Sequence, residues 1–129
     1  MPFVRITLAE GLSAERLEAL GAGVHRALVT VANAPADDRF QVIEEVPARS
    51  LVFTPSYLGI EHQGPVVVVQ VFMNVGRTTE VKKALYAALA DAVCVAAPVR
   101  REDVIVNLVE VPRENWSFGG GVMSYPPSV

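Results

Sequence analysis

The stretch Val104-Ile105-Val106-Asn107-Leu108-Val109-Glu110-Val111-Pro112 closes on the same Glu-Val-Pro tripeptide as Phe40-Gln41-Val42-Ile43-Glu44-Glu45-Val46-Pro47. Both runs are rich in residues that favour a pleated, half-buried surface, and both stop at a proline, which cannot donate to a strand ladder. At the offset of 65 residues that relates them, Gly11 falls on Gly76, Ser13 on Thr78, Glu15 on Glu80, Leu20 on Leu85, Val24 on Leu89 and Asp38 on Asp103. Matched apolar stripes alone are common. Matched turn glycines, helix caps, carboxylates and strand-ending prolines mark an internal duplication within one domain, 1–129, with halves of about 1–64 and 65–129.

Outward from those strands, each half reads as strand, helix, strand. Pro2 to Leu8 alternates, with Val4, Ile6 and Leu8 on one face. Ser13 caps a helix whose apolar stripe runs through Leu17, Leu20, Val24, Leu28 and Val31 and which Pro35 ends. In the second half Val66 to Met73 is apolar on both faces. Thr78 caps a helix carrying Val81, Leu85, Leu89 and Val93 that stops before Pro98. Between the halves, residues 48–64 are irregular, with room for a short strand at Leu51 to Phe53 and an exposed His62. A βαβ crossover makes its two strands parallel and right-handed. Two copies predict an α/β (α+β) fold, a four-stranded mixed sheet with two helices on one face. No third helix remains for the other face, so other subunits are expected to cover it.

Composition narrows the function. The chain has 129 residues, 51% hydrophobic and 19% charged, with a net charge of -3. No basic run, zinc-type Cys/His spacing or aromatic-basic interleaving is present, which argues against nucleic acid as a partner. A single cysteine, Cys94, cannot form an internal disulfide and fits a reducing compartment. The longest apolar run is too short to span a bilayer. A soluble, cytoplasmic protein without membrane contact is expected.

Several residues carry chemistry. Loss of the initiator Met before Pro2 leaves a secondary amine at the amino terminus. A free α-amino group titrates at about 7.7 to 8.0, and apolar surroundings or nearby guanidinium groups lower that value, making the nitrogen a general base. Pro2 can equally just open a strand. Asp38 precedes a strand, a place that suits a turn aspartate. Arg77 sits before a helix cap where the other half has Leu12, so the turn itself does not demand a cation. Arg39 and Arg5 fit either a pocket or a surface ion pair. His25 lies at the edge of the first helix stripe, and Trp116 and Phe118 either line a pocket or pack the tail onto a neighbour.

The stretches Asp38-Arg39-Phe40-Gln41, Tyr57-Leu58-Gly59-Ile60, Gly76-Arg77-Thr78 with Lys83-Ala84-Leu85-Tyr86, and Trp116-Ser117-Phe118-Gly119, in this order behind Pro2, resemble the tautomerase superfamily. The branch they resemble includes malonate semialdehyde decarboxylase. The resemblance implies trimers of tandem βαβ units and a catalytic Pro2. It also implies an Asp38 that polarises water or holds substrate, an Arg77 that binds a substrate carboxylate, and a wall of Trp116 and Phe118. Arg39 and His25 are candidate substrate contacts, and no metal or organic cofactor is implied. Relatives of this branch carry one or two further arginines just before the turn, where this chain has Asn74-Val75. The expected activity is tautomerisation of 2-oxo or 3-oxo acids and their enols. Decarboxylation or water addition uses the same parts, and a non-catalytic ligand-binding module of the same fold is the alternative from another class.

Overall fold

The computed structural model describes residues 2–127. The main elements are β1 (Phe3–Ala9), α1 (Ala14–Val31), β2 (Phe40–Val46), β3 (Ser56–Tyr57), β4 (Ile60–Glu61), β5 (Val67–Asn74), α2 (Thr79–Ala96) and β6 (Val104–Val111). The sheet order is β2-β1-β5-β6. Within each half the strands are parallel, and the halves meet through antiparallel β1 and β5, with Phe3 opposite Phe72.

The local signals in the sequence explain these elements. Ser13 and Thr78 each accept the main-chain N–H three residues on, from Arg16 and Val81, and so satisfy donors that a helix start leaves free. Gly11 and Gly76 hold φ of 125° and 130°, a region closed to most side chains, which fixes the same turn before each helix. Helix α1 ends ahead of Pro35. Asn33 takes a left-handed φ of 59° and the Ala34 N–H returns to the Leu28 carbonyl, so the chain has already turned.

Val4, Ile6 and Leu8 from β1 and Val67, Val69, Val71 and Met73 from β5 are buried under Leu20, Val24, Leu28, Leu85, Leu89 and Val93 from the helices. Each such side chain contributes about 1.5–3 kcal/mol through removal from water. The opposite face of the sheet stays open: Phe3, Arg5, Val68, Gln70 and Phe72 are only half-buried, and Val42 is exposed. Arg5 pairs there with Glu44.

Two expectations for the connecting segment are corrected. Leu51 to Phe53 forms no strand; the pairing lies further on, where β3 and β4 make a hairpin whose tip, Leu58 and Gly59, holds φ of 51° and 81°. His62 is half-buried rather than exposed, its ring edge-on to Phe53 and its Nδ1 2.9 Å from the Thr54 carbonyl.

Candidate active site

One end of the sheet gathers the starts of β1 and β2 with the ends of β5 and β6, as the registers Phe3–Phe40, Phe3–Phe72 and Asn74–Val111 require. Pro2, buried at the head of β1, lies at this end. Met1, on whose removal the amine reading depends, falls outside the described residues.

Asp38 follows a tight turn closed by its own N–H on the Pro35 carbonyl. Its side chain is buried, with the residue 4% exposed, and neither carboxylate oxygen has a hydrogen-bond partner. Burial pushes its pKa above the ordinary carboxyl value. Asp37 adds to the rise, and His25 opposes it. His25 supports this turn from α1, its Nε2 lying 2.8 Å from the Ala36 carbonyl.

Arg77 is held rather than free. Its Nε and Nη2 donate to the Ala32 carbonyl at the end of α1, and Nη1 donates to the Asn74 carbonyl at 3.1 Å. A cation suits a helix C-terminus. Since guanidinium carries five N–H donors, the three bonds leave donors for one carboxylate.

The aromatic wall comes from the tail. Trp116 and Phe118 stack with centroids 5.0 Å apart and planes 14° apart; Phe118 also packs against Phe40 at 5.0 Å and meets the edge of Tyr125 at 6.3 Å. The loop closes on itself, with Phe118 N–H donating to Ser124 Oγ and Ser124 N–H to the Trp116 carbonyl. Behind Trp116, on the open face, lies a cleft of about 380 Å³ lined by Phe3, Arg5, Phe72, Val111, Asn115 and Trp116.

Arg39 is not brought into this group. Its Nε donates to Gln41 Oε1, Gln41 donates to the Gly21 carbonyl, and the guanidinium lies against α1 at Gly21, on the flank of the sheet. Two residues at the site were not picked out from sequence. Asn74 accepts the Trp116 Nε1–H at 2.6 Å. Tyr125 lies under the Arg113 guanidinium, and burial followed by the charge of Asp38 pushes its phenol up. A polar residue closing the apolar β5 was the available signal for Asn74; for Tyr125, between Ser124 and Pro126, there was none.

The opposite end of the molecule repeats this plan with different side chains. Asp103, 2% exposed, accepts the Gln63 N–H at 3.0 Å and has Arg100 at 3.7 Å. Val67 stands where Pro2 does, and Leu12 where Arg77 does. Around them is an apolar cleft of about 220 Å³ that includes Leu8, Leu12, Val67 and Val99.

A buried carboxyl without partners, a tethered guanidinium and an aromatic wall thus lie at the same end of a duplicated βαβ scaffold as the head of the first strand. Two family models described as tautomerase enzyme match residues 38–119 and 2–60, and the chain belongs to the tautomerase superfamily. It is 37% identical over 94% of its length to the probable tautomerase YusQ of Bacillus subtilis (strain 168), covering 95% of that protein. Among solved structures, a malonate semialdehyde decarboxylase (FG41) inhibited by 3-bromopropiolate is 33% identical with a TM-score of 0.86, covering 95% of this chain and 93% of that one. A fused 4-OT, an asymmetric trimer, is 25% identical with a TM-score of 0.77, covering 94% and 95%. The protein is a tautomerase-family enzyme whose branch resembles malonate semialdehyde decarboxylase. No helix among the described residues is long and apolar enough to cross a membrane.

Proposed function

We propose that the protein is a cofactor-independent tautomerase in which the amino-terminal nitrogen of Pro2, freed of Met1, moves a proton on 2-oxo or 3-oxo acids and their enols. Neutral Pro2 takes a proton from the carbon beside the carbonyl, the C–H electrons become the C=C bond, and the carbonyl oxygen takes up a proton; the reverse steps return the ketone. Asp38, its pKa raised by burial, is suited to hold a proton for that oxygen or to position water. The remaining Arg77 donors hold the substrate carboxylate, and the stacked Trp116 and Phe118 exclude water.

The observation that carries this reading is the contrast between the two equivalent carboxylates. Asp103 is satisfied; Asp38, at the end that holds Pro2, is buried with nothing to bond. A buried charge without partners is costly and persists where it serves a function. The open sheet face and the trimeric relative support a homotrimer, in which neighbouring copies cover Phe3, Val42 and Phe72.

The test is enol-ketone conversion of an arylpyruvate by the Met-free protein and its Pro2→Ala variant. A large loss in the variant supports the mechanism, and equal rates remove Pro2 from it. Decarboxylation or hydration is the second reading. It is supported by the likeness to the decarboxylase and by a carboxyl able to polarise water, and release of carbon dioxide from a 3-oxo acid distinguishes it. Retention of Met1, read by intact mass, would favour a non-catalytic binding module.

A further inference from the structure

We propose that Asn74 is a positioning residue that sets substrate preference, favouring a monocarboxylate with a flat, conjugated substituent over a short acid with two charged or strongly polar ends. The proposal rests on the reading of this end as a tautomerase site.

Asn74 is the last residue of β5, paired with Val111, and its two oxygens serve two different parts of the site. The side-chain Oδ1 accepts the indole N–H of Trp116 at 2.6 Å, and the main-chain carbonyl accepts from Arg77 Nη1 at 3.1 Å. An indole N–H is a donor only, so when half-buried it needs an acceptor, and Asn74 provides it. The ring is thereby fixed from both sides, by Asn74 at its nitrogen and by Phe118 stacked at 5.0 Å on its face. An aromatic that is already fixed costs less to order when a flat substrate slides against it.

The same position settles the charge. Asn74 is neutral, so the one guanidinium tied to it is Arg77, whose free donors suffice for one carboxylate. A second anionic group would meet no further cation from this turn. Apolar contact from Trp116 on one side and the one cation of this turn on the other favour one acid group attached to a conjugated plane, since Arg5, which also lines the Trp116 cleft, is paired with Glu44.

The chain has one tryptophan, so fluorescence excited at the red edge, where its tyrosines do not absorb, reports on Trp116 alone. Asn74→Leu removes the acceptor, and Asn74→Asp keeps an oxygen in its place. The Leu variant is expected to show shifted emission and lower anisotropy, and the Asp variant to retain the wild-type spectrum. For turnover, the Leu variant should lose about tenfold in kcat/KM on an aryl enolpyruvate through KM, with the enol of a short 2-oxo acid changed less than about twofold. Trp116→Phe, which keeps an aromatic face but loses the N–H donor together with the five-membered ring, should show the same direction of change in preference and covers the case in which the Leu variant does not fold. Unaltered emission and anisotropy in Asn74→Leu, or an equal loss on both substrates through kcat, overturns the proposal. If the wild type turns over neither enol, the tautomerase reading fails, and quenching of Trp116 by an arylpyruvate, weakened in the Leu variant, still decides the role of Asn74.

Discussion

Asp38 and Asp103 stand 65 residues apart at equivalent places in the two halves, both almost fully buried, and only Asp103 has hydrogen-bonding company. The difference gives the two carboxyls opposite consequences on mutation. Burial raises the pKa of Asp38 above 3.8, so as pH rises the unfolded chain ionises before the folded one. The folded state is therefore penalised from about that pH upward, and the penalty is complete above the raised folded value. Asp38→Asn should lose activity yet gain about 1 kcal/mol at pH 7, with the gain vanishing near pH 3. Urea denaturation at the two pH values checks this, and a variant less stable at pH 7 would mean that the carboxylate has a partner in the assembled protein.

Arg77 is expected to have a structural and a chemical role, which can be separated. Arg77→Met leaves the Ala32 and Asn74 carbonyls without their donor and should cost about 1–2 kcal/mol in stability. Arg77→Lys restores the charge without the fork and should recover more stability than activity. Parallel measurement of thermal midpoints and KM for a carboxylate substrate tests the separation; equal recovery of both would refute it.

The two turn glycines form an internal control. Gly11 and Gly76 have φ of 125° and 130°, and a Cβ at either would meet nothing within 4 Å, so Ala substitution strains the backbone alone. Each should cost about 1–2 kcal/mol. Only Gly76→Ala should disturb catalysis, because only that turn leads into Arg77. Matched melting curves with unmatched rates are the expected result.

Behind the Arg77 turn, Lys82 Nζ lies 2.6 Å from Glu110, and this hydrogen bond holds the Glu110 carboxyl below its usual value, with the Gly76 amide and Arg77 adding to the effect. A depressed carboxyl contributes stability above its unfolded pKa of 4.5 and loses it as pH falls through the lower folded value. Glu110→Gln should therefore lower the urea midpoint at pH 7 and match the wild type in strong acid. A difference that persists in acid would assign the effect to packing.

What the sequence made legible was local. β2 and β6 were placed to the residue and both helix caps were identified, because proline stops, Ser13 and Thr78 act on their immediate neighbours. The duplication supplied the rest of the architecture by showing that each segment occurs twice. What stayed hidden depends on contacts between distant segments. The bond from Asn74 to Trp116 joins residues 42 apart, and the capture of Arg77 by Ala32 joins residues 45 apart. Arg39 reads from sequence as a candidate substrate contact or a surface ion-pair residue, but consecutive residues entering a strand diverge, and Gln41 draws it to the flank. The segment 48–64 followed no period, so its hairpin could not be placed.

Val67, the counterpart of Pro2, carries its nitrogen inside a peptide bond in the middle of the chain, where an amide has no basicity to offer. In the mechanism proposed above, joining two βαβ copies end to end therefore leaves one amino-terminal nitrogen per polypeptide to serve both halves. On that mechanism the distal mouth has no proton acceptor, and its side chains match ordinary architecture: leucine in place of arginine and a carboxyl tied down by the main chain.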